Sequence, residues 1–220
     1  AGQSLIQQAR LRAVITEFME IERSVKIFKV AYDYLPGDYP FAGGVWGAEC
    51  GGNSPAAAGC NGDGNGVVGS YGNGTFPRLS TSETFRFWQH LQLANIMDRS
   101  FTGVHGYTQT GAPWHNEDNV FTSKAFKGIL FYLDDVTRWN NPVWGKQNIW
   151  IMSNAAYFWE NDAQIAFSAR EASYIDKKID DSYPRSGSLN ASAIYIAGGI
   201  GYGHSYACWA GSGKGYFKIG

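Results

Sequence analysis

The sequence predicts an α+β fold in which a long N-terminal amphipathic helix packs on an antiparallel β-sheet, with long glycine-rich loops and one or two further helices. Three observations predict it: a helical apolar repeat near the N-terminus, a glycine-rich middle segment, and short aromatic-rich runs after residue 112. The 220 residues suffice to bury a core without metal ions. The formal net charge of −1 provides no positive field for phosphates, so we expect no nucleic-acid partner.

We expect a single domain, residues 1–220, in three parts. Residues 1–35 form a helical spine, residues 36–111 a loop region with one helix, and residues 112–220 a β-rich region. Pro36-Gly37 ends the spine with a turn. Apolar side chains recur in the spine at steps of three and four, and this face is predicted to pack against the rest of the domain. Its members are Leu11, Val14, Phe18, Ile21, Val25 and Phe28.

Two capping boxes predict further helices. In the first, Ser80 precedes Glu83, which is placed at the third helical position, and the apolar residues that follow predict a buried helix ending near Asp98. In the second, Ser168 precedes Glu171 and begins a short helix inside the β-rich region.

Cys50 and Cys60 flank a short loop of Gly, Asn and Ala residues. No Cys-x-x-Cys pattern and no nearby histidine accompanies them, so a zinc site is not expected. We interpret the pair as a disulfide, which implies an oxidising compartment. Two buried thiols are the alternative. The third cysteine, Cys208, is expected to be free or buried.

Residues 61–67, Asn-Gly-Asp-Gly-Asn-Gly-Val, match the start of a calcium loop. Such loops supply side-chain oxygens at positions 1, 3 and 5, a glycine at 6 and a backbone carbonyl at 7. The predicted calcium ligands are therefore Asn61, Asp63, Asn65 and Val67.

The calcium pattern is incomplete, because position 12 is Gly72 and not glutamate. A remote carboxylate such as Asp38 or Glu83 would have to complete the coordination shell. The alternative is a chain of Asx-turns in which the Asn and Asp side chains bind their own backbone.

Patterns typical of enzymes fail. Gly203-His204-Ser205 imitates a nucleophile elbow, but no histidine or carboxylate follows it. The glycine-rich segments after residue 198 lack the helix or hydroxyl of a phosphate loop. We predict no enzyme activity and no catalytic residue. A hydrolase that uses His105, His115 and Glu117 is an alternative, and retained activity in the alanine variant of each of these residues would remove it.

The order of these segments resembles the type IV pilin and type II secretion pseudopilin superfamily. The resemblance rests on the helix with residues 34–40, the loop at residues 61–67, residues 87–94, and residues 172–187. The last segment is similar to the aD.K.DDG.P..G stretch of pilin-like proteins. The resemblance implies a pilin-like fold and a structural subunit, a minor pilin or pseudopilin, that polymerises through its N-terminal helix.

The resemblance also implies partners and a location. In the family an apolar half helix precedes what begins here near Ser4, so this chain is expected to be a soluble truncation of a methylated, membrane-anchored subunit. The partners would be other pilin or pseudopilin subunits, the inner-membrane assembly machinery, and the prepilin peptidase that acts on the full-length precursor. The full-length protein would lie in the bacterial inner membrane, with its head in the periplasm or on the extracellular filament.

A secreted carbohydrate- or protein-binding module is the competing function. Its aromatic surface sites would be tryptophans in polar surroundings, and a glycan titration followed by tryptophan fluorescence would separate the two functions. These residues are Trp114, Trp139, Trp144 and Trp159.

Overall fold

The computed structural model describes residues 2–50, 60–69, 82–104, 117–126, 128–135, 148–153, 167, 169–179, 189–193 and 215–219. It has a long N-terminal helix, shorter helices and antiparallel strands, so the fold is α+β, as predicted. The described helices and strands are α1 (Gly2–Tyr32), α2 (Ala42–Trp46), a 3-10 helix (Gly47–Cys50), α3 (Glu83–Leu93), β1 (Phe121–Thr122), β2 (Leu130–Asp135), β3 (Asn148–Ser153), α4 (Ala169–Ile179), β4 (Leu189–Ala193) and β5 (Gly215–Ile219).

The chain divides into two compact units. The first comprises Ala1–Met19, Thr122–Phe131 and Trp150–Gly220, and the second comprises Glu20–Phe121 and Tyr132–Ile149. The single domain of three parts stays a prediction.

The predicted packing face of α1 is buried along most of its length. Within the first unit, the ring of Phe18 stacks on Phe131 with centroids 6.5 Å apart. Val25 is half-buried, and Ile15, which the repeat did not include, is buried. The remaining predicted residues are each at most 3% exposed: Leu11, Val14, Phe18, Ile21 and Phe28.

The α1 helix ends at Tyr32, three residues before the predicted end of the spine. Asp33 has a left-handed φ of 63°, and its N–H donates to the Lys29 carbonyl at 2.9 Å. Leu35 precedes a proline, which disfavours helical backbone there. Among the helices that the structure describes, none combines the length and apolarity needed to cross a membrane.

The α3 helix ends at Leu93, short of the predicted end near Asp98. A Schellman motif ends it, since Asn95 has a left-handed φ of 55°. The Asn95 N–H donates to the Gln92 carbonyl at 2.8 Å, and the Ile96 N–H donates to the Leu91 carbonyl at 3.0 Å. The apolar residues after Leu93 therefore belong to a turn.

In the first unit, β5 pairs antiparallel with β3 and with β4. Trp150 lies opposite Ile219, and Leu189 lies opposite the same residue on the other side. The sheet order is β1-β2-β3-β5-β4. Polar contacts join α1 to α4 in this unit, where Arg12 Nε donates to the Tyr174 hydroxyl at 3.1 Å.

Candidate metal centre

Glycines allow the loop at residues 60–69, in the second unit, to lie directly against the turn that follows α1. The N–H of Gly62 donates to the Tyr39 carbonyl at 2.9 Å, and that of Gly64 donates to the Asp38 carbonyl at 3.0 Å. A Cβ on Gly62 would lie 2.3 Å from the carbonyl carbon of Asp38, so only glycine fits at this crossing. The loop and the turn are thereby held backbone against backbone.

Asp38 directs its carboxylate into this loop. Its Oδ1 accepts from the Asn65 N–H at 2.9 Å and its Oδ2 from the Gly66 N–H at 2.9 Å. The side chain is 1% exposed. Burial raises the pKa of Asp38, although the two backbone N–H groups act in the opposite direction and the charge of Asp63 adds to the rise.

Gly37 brings Asp38 to this position. It has a φ of +85°, which favours glycine, and a Cβ there would lie 2.5 Å from the carbonyl oxygen of Glu83. The backbone of the turn after α1 therefore packs directly against the backbone of α3 at Glu83, with no room for a side chain at Gly37.

Glu83 holds the loop from the α3 side. Its Oε1 accepts from the Asp63 N–H at 2.8 Å and its Oε2 from the Gly69 N–H at 3.1 Å. Glu83 is the first helical residue after the N-cap Ser82, and not the third as the capping box predicted. Its carboxylate does not cap α3, because both of its oxygens accept hydrogen bonds from backbone N–H groups of the loop.

Burial raises the pKa of Glu83 to about 8. The N–H groups of Asp63 and Gly69 lower this pKa, while the charges of Asp63 and Asp38 raise it further. At neutral pH the Glu83 carboxyl group therefore keeps its proton unless a positive charge lies nearby.

One carboxylate oxygen from each of Asp38, Asp63 and Glu83 lies within 4.8 Å of the other two. Asp38 is buried, Glu83 is half-buried and Asp63 is exposed, so the cluster extends from the interior to solvent. The Oδ1 of Asp63 accepts from the Asn65 N–H at 3.0 Å, and its Oδ2 from Asn65 Nδ2 at 2.8 Å. All six carboxylate oxygens thus accept an N–H, and each retains a second lone pair.

The structure separates the four predicted ligands. Asp63 lies in the cluster, but the Oδ1 of Asn61 accepts from the N–H of Gly43, the second residue of α2, at 2.7 Å. The Oδ1 of Asn65 accepts from the Val67 N–H at 2.8 Å. Asp63 and Asn65 therefore form the Asx-turns of the alternative interpretation. Both remote carboxylates, Asp38 and Glu83, join Asp63.

The donor set of the cluster favours a hard cation. All of its donors are carboxylate oxygens, which suit calcium or magnesium and not zinc. The nearby His90 cannot contribute a ligand, because Nδ1 accepts from the Gly37 N–H at 2.9 Å and Nε2 lies 2.8 Å from the Cys60 carbonyl. Calcium tolerates irregular shells of six to eight oxygens, whereas magnesium retains several waters.

Cys50 and Cys60 are joined by a disulfide with their Cα atoms 5.2 Å apart. The other predicted residues mostly lie outside the described part of the chain. This applies to Cys208, and to His105 and His115 of the hydrolase alternative. Glu117 is exposed, and its backbone carbonyl accepts from Arg99 Nη2 at 3.1 Å. The four tryptophans of the binding-module alternative also lie outside: Trp114, Trp139, Trp144 and Trp159.

Comparison with protein-family models, with curated proteins and with solved structures gave no match for this chain.

Proposed function

We propose that the chain is the head of a structural filament subunit, a minor pilin or pseudopilin of a type IV pilus or type II secretion filament. The observation that carries this proposal is the exposed apolar surface of α1 near its N-terminal end. Leu5 and Ile6 are 68% and 58% exposed there. Adjacent exposed apolar side chains are typical of an interaction surface.

Further features are consistent with this proposal. Met19 and Val30 are 52% and 89% exposed on the same helix, so α1 presents apolar side chains outside its buried face. The Cys50–Cys60 disulfide is typical of an oxidising compartment such as the periplasm. In this proposal the partners are other subunits, the inner-membrane assembly machinery and, for the full-length precursor, the prepilin peptidase.

The intact mass and the N-terminal peptide of the native protein, isolated from its own cells, test the filament proposal. We expect about twenty further apolar residues, enough for a membrane-spanning helix, and a methylated first residue. Peptides from α3 and α4, recovered in the same digest, control for the identity of the isolated protein. A native N-terminus at Ala1 would contradict the proposal.

For the carboxylate cluster we propose calcium as the ligand. The convergence of Asp38 and Glu83 on Asp63, the member of the 61–67 pattern that lies in the cluster, supports it. A divalent cation would offset the mutual repulsion of the carboxylates and replace the proton on Glu83. Its role would be structural, since it would join the turn after α1, the loop and α3.

Replacing Asp63 tests the calcium proposal. Calcium at 100 times its Kd should stabilise the wild type by about 2.7 kcal/mol, which raises Tm by about 5–10 °C in a chain of this size. Asp63→Ala should remove that gain. Asp63→Asn is the sharper variant, because its amide oxygen can keep the bond from the Asn65 N–H. Thermal melts of the wild type and of both variants, in calcium and in chelator, measure the gain in Tm.

Asn61→Ala is the matched control, since Asn61 lies on the same loop but binds the Gly43 N–H. It should lower Tm equally in calcium and in chelator. If Asp63→Asn also lowers Tm equally in both, the Asx-turns alone account for the loop and the calcium proposal fails.

A further inference from the structure

Two side chains of α3 hold the two halves of the cystine. His90 Nε2 lies 2.8 Å from the Cys60 carbonyl, and Arg86 Nη1, which donates to Gln89 Oε1 at 2.7 Å, makes a longer contact of 3.5 Å with the Cys50 carbonyl. Arg86 and His90 are four residues apart, so they lie on the same face of the helix. Cys50 is 2% exposed and Cys60 is fully buried. Side chains of α3 therefore contact the backbone carbonyls of both cysteines.

His90 also holds the turn that carries Asp38. Its Nδ1 accepts from the Gly37 N–H at 2.9 Å, so the ring proton lies on Nε2 and is donated to the Cys60 carbonyl. Asp38 follows Gly37 directly, and Asp63 lies three residues after Cys60. One buried side chain thus joins the two segments that carry these carboxylates to the helix that begins with Glu83.

We propose that the Cys50–Cys60 disulfide is a redox-sensitive device that orders the Asp38, Asp63 and Glu83 cluster. The cystine restricts Cys60 and keeps its carbonyl within reach of His90. Without it, only the hydrogen bonds of this glycine-rich segment to the turn and to Glu83 restrain it, so the segment samples more backbone conformations. Opening the cystine therefore disorders the loop before it affects α1. The consequence for calcium affinity rests on the calcium site proposed above; the ordering of the loop does not.

The redox step is a thiol–disulfide exchange with a small or protein disulfide as the oxidant. The Cys50 and Cys60 thiols lose two electrons and two protons, their S–S bond forms, and the oxidant's S–S bond breaks to give two thiols. In the reverse direction a phosphine supplies the two electrons. It becomes a phosphine oxide with the oxygen of a water molecule, whose two protons go to the cysteine sulfurs.

Amide hydrogen exchange tests the ordering of the loop without calcium. The protein carries Cys208→Ser, so that no third thiol takes part in exchange, and it is compared in chelator before and after phosphine reduction. We expect protection of the Asn65 and Gly66 amides, which bind Asp38, to fall at least tenfold. The Phe18 and Ile21 amides in α1 should keep theirs.

Three outcomes would overturn the proposal. They are unchanged protection at Asn65 and Gly66, an equal loss of protection in α1, and failure of the phosphine to reduce the folded protein. The double variant Cys50→Ser/Cys60→Ser should reproduce the reduced pattern. Should that variant not fold, the phosphine-reduced protein still decides the matter.

Calcium titrations of the oxidised and reduced proteins separate this inference from the calcium proposal. Weaker calcium binding after reduction, by tenfold or more, supports both. If neither form binds calcium but reduction still removes protection at Asn65 and Gly66, the calcium proposal fails and the redox device stands. Equal calcium affinity in both forms, with unchanged protection, overturns the redox device and leaves the calcium site.

Discussion

Gly62→Ala is expected to lower Tm by about 6–12 °C, which corresponds to a loss of ~3 kcal/mol in a chain of this size. The added Cβ would lie 2.3 Å from both the Asp38 carbonyl carbon and the Gly37 carbonyl oxygen. Both are backbone atoms, so no side-chain rotation relieves the overlap. The loop must move away from the turn, and the hydrogen bonds from Asn65 and Gly66 to Asp38 are lost with it. Thermal unfolding measures the effect.

Two other glycines provide matched controls for this variant. Gly44, inside α2, has no neighbouring atom within 4 Å of the place a Cβ would take, so Gly44→Ala should stabilise the chain by up to about 1 kcal/mol. Gly66 has a φ of +85° but open space around it. Gly66→Ala should therefore cost about 1–2 kcal/mol through backbone strain alone. A loss for Gly62→Ala no greater than that for Gly66→Ala would refute the close crossing.

His90→Phe is expected to cost about 3 kcal/mol and to change how stability depends on pH. The phenyl ring can keep the aromatic contacts of His90 with Phe28 and Trp46, at 6.1 and 5.3 Å between ring centroids. It leaves the Gly37 N–H and the Cys60 carbonyl without their partner. Each such buried group costs about 1–3 kcal/mol. Chemical denaturation at several pH values, in chelator, measures both effects.

The pH dependence follows from opposite shifts of His90 and Glu83, and the raised pKa of Asp38 acts in the same direction as that of Glu83. Burial lowers the pKa of His90 from 6.5 to about 4, so its contribution to stability is complete above pH 6.5 and is lost as the pH falls to 4. Burial raises the pKa of Glu83 from 4.5 to about 8, so its contribution is complete below pH 4.5 and is lost as the pH rises to 8. Between pH 4.5 and 6.5 the two slopes oppose each other.

The variants separate these two slopes. With His90→Phe, stability should fall steadily from pH 4.5 to about 8, because the slope of Glu83 is no longer opposed. With Glu83→Gln, stability should rise more steeply from pH 4 to 6.5 than in the wild type, because the opposing slope of Glu83 is removed and that of His90 remains. Trp88→Phe, on the same helix and equally buried, should lower stability without changing either slope. A wild-type pH profile in His90→Phe would show that His90 is not the buried neutral group described.

The helices α1, α3 and α4 could be predicted from the sequence because they follow local patterns, whereas α2 and the 3-10 helix were not predicted. The apolar repeat of α1 marks residues such as Phe18 and Ile21 that are buried. The ends of α1 and α3 could not be placed as well, since Asp33 and Asn95 adopt left-handed backbone there, which Asp and Asn enter more readily than most residues but do not require. The pairing of β5 with β3 and β4 could not be predicted, because it is a long-range contact.

The candidate site was predicted in part. The spacing of Asn, Asp and Gly in residues 61–67 indicated a loop rich in oxygen ligands, and its missing twelfth ligand pointed to Asp38 and Glu83 as remote candidates. The spacing could not show that Asn61 would bind the Gly43 N–H, since that contact depends on where α2 lies. Nor did any motif indicate that His90 would join the Gly37 and Cys60 backbones.

The sequence by itself thus determined the long helix and its buried face. Its glycines also determined that residues 60–69 can adopt backbone conformations that other residues avoid. Only the tertiary structure decided which carboxylates meet and which side chain holds them there. The reason is physical: periodicity and turn propensity act over a few residues. By contrast, one carboxylate oxygen from each of Asp38, Asp63 and Glu83 lies within 4.8 Å of the other two because segments separated in the chain pack backbone against backbone.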